Sequence, residues 1–112
     1  MTDTMHRAYF GDGHRSFCLT AQMIIELERS TGIGIGAISR RLIERDFKHV
    51  EMLEVIRLAM IGGGEHPQRA AELVETYARA RPIEESHLLA IEIINAVWFG
   101  GSSDKKDDNG KA

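Results

Sequence analysis

Between Lys48 and Ile61 the chain places Glu51, Glu54 and Arg57 at intervals of three and fills nearly every other position with an apolar residue, from Val50, Met52 and Leu53 to Val55, Ile56, Leu58, Met60 and Ile61. A helix that is apolar on all but one narrow stripe cannot lie on the outside of a domain, because water would meet most of its surface. It must be central, and the remaining elements must wrap it. Glu51, Glu54 and Arg57 read as a solvated stripe. Gly62-Gly63-Gly64 ends the helix, and these glycines are assigned a hinge or close-packing role, since glycine admits backbone conformations that other residues avoid.

The wrapping elements follow from punctuation and periodicity. Two extended segments, His6 to Phe10 and Arg15 to Leu19, flank Gly11-Asp12-Gly13, a composition suited to a hairpin turn. Thr20 is placed to cap a helix over Ala21 to Ser30 with Met23, Ile24 and Leu27 on its inner face, and Gly32 to end it. A second helix runs from Ile35 to Arg45 with Ile38, Leu42 and Ile43 inward and Arg40, Arg41 and Arg45 outward. After the central helix, Pro67 opens a fourth through Ala78, and Pro82 starts a fifth over Ile83 to Phe99 with Glu84 and Glu85 at its positive end. The expected fold is mainly α: about five helices behind a short N-terminal β-hairpin (6–19), in one domain spanning 1–99. Residues 100–112, GGSSDKKDDNGKA, hold no apolar residue larger than alanine and read as a disordered tail.

Composition narrows the function classes. The 112 residues are 43% apolar and carry a net charge of -3, with 4 basic and 8 acidic residues between 51 and 99. A dedicated nucleic-acid binder carries a basic excess, so that class starts behind. Arg40, Arg41, Arg45 and Lys48 form one local basic patch, the basis of a DNA-binding alternative, but the helix that follows is too apolar for a major groove. A single cysteine, Cys18, excludes an internal disulfide and fits a reducing cytoplasm. No apolar run approaches the roughly 18 residues of a membrane span, and no secretory leader opens the chain.

No catalytic or cofactor constellation emerges. Gly32-Ile33-Gly34-Ile35-Gly36-Ala37 matches the relaxed dinucleotide pattern, yet a helix end precedes it where that chemistry needs a buried strand. Glu84-x-x-His87, with a faint echo in Asp46-x-x-His49, is half of a bundle di-metal site and lacks the other ligands. Cys18, between Phe17 and Leu19, reads as a small core residue. The expectation is therefore no enzyme, no cofactor and no metal. The fifth helix instead ends with more apolar groups than one side can bury. Ile94, Val97, Trp98 and Phe99 are the expected contacts for another protein, with a homo-oligomer as one form of that contact.

The order of these elements resembles a known family. It runs through Phe17-Cys18-Leu19-Thr20, then Ile25-Glu26-Leu27-Glu28, then the Thr31-Gly32 to Gly36 connector. Val55-Ile56-Arg57-Leu58 leads into Ile61-Gly62-Gly63-Gly64, followed by Ala71, Val74, Arg81-Pro82 and a closing Phe99-Gly100. Over about residues 6–100 the chain is similar to the small gene transfer agent proteins grouped with phage tail assembly chaperones, some of which carry the label tail tube protein. That resemblance implies a non-enzymatic, mostly helical protein of a prophage-like element in the bacterial cytoplasm. It implies a chaperone-like role in which the protein binds a hydrophobic tail component, of tape-measure or tail tube type, while tails assemble. The alternative is a structural tail subunit, tube or connector.

Overall fold

The computed structural model describes residues 4–100. They form a two-stranded antiparallel hairpin, β1 (His6–Phe10) and β2 (Gly13–Phe17), followed by five α-helices. These are α1 (Ala21–Thr31), α2 (Ile35–Ile43), α3 (His49–Gly62), α4 (Pro67–Val74) and α5 (Ile83–Phe99), with a π-helical turn at Glu75–Arg79 extending α4. The tail expected at 101–112 lies outside the described residues.

The hairpin turn is tighter than its composition suggested. The pairing runs from His6 opposite Phe17 to Phe10 opposite Gly13, so only Gly11 and Asp12 form the loop and β2 begins at Gly13, not Arg15. Gly11 has φ +73°, as the first central residue of a II′ turn requires. Arg15 fastens this turn to the helices. Its guanidinium donates to Glu65 (2.8 Å), to the Phe10 carbonyl (3.1 Å) and to Asp12, whose other oxygen accepts from Arg69 at 2.9 Å.

α3 is the central element. Met52, Val55, Ile56, Ala59 and Met60 are fully buried, with α1, α4, α5 and β2 packed around them. The glycines at its end explain how the hairpin comes so close. A Cβ on Gly62 would stand 1.9 Å from the Cys18 carbonyl oxygen, and one on Gly63 2.0 Å from that of Ser16. Only a hydrogen fits there. The Cys18 amide then donates to the Ala59 carbonyl (2.8 Å), joining β2's exit to the helix. Gly64 makes no such contact and adopts φ +113° as the chain turns toward α4.

Four expectations about faces and ends need correction. Glu51, Glu54 and Arg57 are not a solvated stripe: Glu51 is 5% exposed, and the other two are half-buried against α1. Ile43 points outward, 62% exposed. α2 stops at Ile43 because Arg45 turns left-handed (φ 61°), and the Arg45 and Asp46 amides reach back to the Leu42 and Arg41 carbonyls. Those two bonds make a Schellman closure on a non-glycine residue. Finally, the fourth helix is not regular through Ala78. It widens at Glu75, and the π-turn sets the Tyr77 ring edge-on to Phe10, 6.3 Å away.

Candidate functional site

The end of α5 is built in two layers. Ile93, Ile94 and Ala96 are buried in the core and Val97 is half-buried against it. Trp98 and Phe99 project, 55% and 75% exposed. Ile94 therefore drops out of the expected contact set: at 1% exposure it packs inside the fold and presents nothing to a partner. Around the helix Ile93, Val97 and Ile94 lie within about 100° of one another, Trp98 stands about 40° beyond Ile94 at the rim of that face, and Phe99 falls on the far side.

Trp98 is exposed but not loose. Its indole Nε1–H donates to the Ser39 hydroxyl (2.8 Å), which in turn donates to the Ile35 carbonyl (2.8 Å). Ser39 is buried, so this chain satisfies a hydroxyl that would otherwise be costly to remove from water. The indole is thus held against α2 with its remaining face open. Phe99 follows it, and Gly100 (φ 72°) closes the helix through a bond to the Ala96 carbonyl. Ile43, one turn beyond Ser39 on α2, adds a further exposed apolar group. An indole anchored in this way loses little conformational entropy on binding, and covering each of the two rings would contribute on the order of 1.5–3 kcal/mol.

A protein-family model described as "Phage tail tube protein, GTA-gp10" matches residues 3–100, which is nearly all of the chain. The chain belongs to the GTA-gp10 phage tail tube protein family. It is a phage tail-related protein, and the hairpin, the five helices and the Gly62-Gly63 contact all fall within the matched span. No curated protein and no solved structure matches it.

In this GTA-gp10 family member the other motifs have structural partners. His87 Nε2 meets the Leu42 carbonyl at 2.7 Å, and its ring stacks on Phe47 with centroids 5.2 Å apart. Among the described residues no three metal-ligating side chains gather. Cys18 is buried, its sulfur 3.3 Å from the Thr4 hydroxyl. The glycine run at 32–36 is a helix junction: Gly32 ends α1 at φ 80° and Gly34 precedes α2. In the basic patch, Arg41 is taken up by Glu51 (2.9 and 3.1 Å) and Arg40 lies 3.7 Å from Glu44.

The Glu51 carboxylate accepts from the Lys48 amide (2.9 Å) as well as from Arg41. Burial alone would push its pKa up, but those bonds and the guanidinium charge outweigh it and hold the carboxyl below the usual glutamate range. The Arg41 guanidinium is raised in turn, chiefly by its hydrogen bond to Glu51. The group that sequence reasoning missed is Ser39, the anchor of Trp98. Its signal was a lone hydroxyl at the inward register between Ile35 and Leu42.

Proposed function

We propose that this protein acts in tail morphogenesis as a chaperone-like binding protein, by reversible apolar contact and not by catalysis. The ligand is an apolar segment of a tail component of the tape-measure type, and the contact surface is Trp98, Phe99 and the outer edge of Val97. The observation that carries this reading is the Trp98 indole fixed to Ser39 with more than half of its surface open to solvent. Fixed aromatic anchors are the side chains most often found to dominate protein interfaces. Family membership supports the tail as the setting.

Immobilised protein should capture purified tape-measure segments. The Trp98→Ala and Phe99→Ala variants should each bind about tenfold more weakly, Phe99→Ala with unchanged melting temperature and Trp98→Ala with a modest drop from the lost bond to buried Ser39. Undiminished capture by both variants would remove this surface from the interaction.

The family description favours a second reading, a structural tube subunit. Quantitative mass spectrometry of purified tails separates the two. A chaperone is missing from finished particles, whereas a tube subunit is present in many copies.

A further inference from the structure

The molecule also carries a concave feature, lined in part by the half of α5 opposite the Trp98–Phe99 end. A cavity of about 390 Å³ lies between β1, the π-turn and the N-terminal half of α5. Its walls are apolar at Phe10, Leu88 and Leu89 and charged at Arg81, Glu85 and Glu92. Ser86 also lines it. That side chain is 3% exposed, and its hydroxyl has no hydrogen-bond partner among the described residues. A buried, unpaired hydroxyl facing a cavity is costly in the free protein, and a ligand with a polar group removes that cost.

The opposite wall offers main-chain groups. With Gly11 and Asp12 as the loop, Phe10 and Gly13 close the turn as a hydrogen-bonded pair. Alternation then makes Tyr9 and His14 a non-bonded pair, so the Tyr9 N–H and C=O point away from β2. That is the side on which the cavity lies, since β1 and no β2 residue lines it. Neither group bonds to another element among the described residues. β2's outer edge, by contrast, is closed by Gly62 and Gly63.

The outward main-chain groups of Tyr9, an apolar floor and an unpaired hydroxyl together fit an extended polypeptide, which supplies main-chain donors and acceptors and a side chain at once. The charge specifies it further. Glu85 in the wall pairs with Arg81 (3.3 Å) and Glu92 meets His6 (3.1 Å), and with exposed Glu84 beside them the carboxylates still outnumber the one guanidinium. We propose that the groove between the outer edge of β1 and the N-terminal half of α5 binds an extended segment of a partner protein. That segment pairs with Tyr9, seats one bulky apolar side chain on Phe10 and Leu89, and carries basic residues on either side.

The test uses the full-length protein and capped synthetic pentapeptides, Lys-Val-Leu-Val-Lys and its Glu-flanked counterpart. Anisotropy and amide NMR read the binding. The Lys-flanked peptide should bind saturably and shift the Tyr9 and Ser86 amides, and the Glu-flanked one should bind about tenfold more weakly. Leu88→Lys, at a position already 58% exposed, should weaken binding of the Lys-flanked peptide by about tenfold without lowering the melting temperature, since it removes apolar wall and adds like charge. Ser86→Ala should raise the melting temperature of the free protein while weakening the peptide, a pairing of signs that a purely structural serine would not give. Failure to saturate by millimolar peptide, equal binding of the two peptides, or shifts gathered at Trp98 and Phe99 would each overturn the proposal. Tape-measure capture through Trp98 is a separate measurement, so either reading can fail while the other stands.

Discussion

At the scale of single residues, the tightest constraint in the molecule is a missing methyl group. Gly62 and Gly63 let two carbonyls of the hairpin exit lie where a Cβ would be. Gly62→Ala or Gly63→Ala should lower stability by about 1–3 kcal/mol in denaturant titration, because backbone and not a movable side chain must yield. Gly36→Ala is the control. It sits in α2 with open space around it, and should stabilise by about 0.5–1 kcal/mol. Glu51 gives a pH prediction. Its folded pKa is depressed, so the unfolded chain binds the proton more readily, and the stabilisation is present above the unfolded value and lost as pH falls through the folded one. Melting temperature should therefore drop on acidification below about pH 4.3, and Glu51→Gln should flatten that part of the profile. The three-residue spacing of Glu51, Glu54 and Arg57 marked a polar stripe in the sequence. It did not reveal that α1 and α2 cover the stripe, since their own basic and hydroxyl groups do the covering: Arg41 on Glu51 and Ser30 on Glu54.

At the scale of elements, the helices begin where their caps place them and end where local geometry forces them to. Thr20 accepts from the Met23 amide, and Pro67 starts α4. α5 matched its expected limits at both ends because Pro82 and Gly100 bracket it. α2 did not, because Arg45 bears the left-handed turn that glycine usually supplies. Arg45→Gly should therefore stabilise the protein by about 1 kcal/mol in thermal or urea unfolding, since a left-handed L-residue costs about that much. The π-turn at Glu75 also escaped the periodicity argument. Apolar spacing at Leu73, Val74, Tyr77 and Ala78 suits a regular helix equally well, and only the demand to seat Tyr77 beside Phe10 and Gly11 selects the wider turn.

At the scale of the whole molecule, one apolar helix organises everything else, and what remains unburied is set by which side of each outer helix faces α3. Within the described residues the core takes Ile94 and leaves Trp98 and Phe99 outside. Replacing Ser39 by alanine should free the indole without removing it. The Trp98 fluorescence anisotropy should fall and tape-measure capture weaken by a few-fold, because an anchor that must be ordered on binding pays that entropy at the interface. A glutamate at Phe99 should abolish capture and leave the circular dichroism unchanged, since the position is already in water.

Taken alone, the sequence determined the elements: a central helix from its apolar surplus, five helices from periodicity and caps, a hairpin from its glycines. These are local properties, set by spacing along the chain and by the backbone freedom of single residues. The tertiary structure decided the partners. It placed Glu51 under Arg41, Trp98 on Ser39, and Tyr9 in one cavity wall with Ser86. Those pairings join positions far apart in the chain. The free energy that selects them comes from packing and desolvation at the contact itself, which no pattern within a single element encodes.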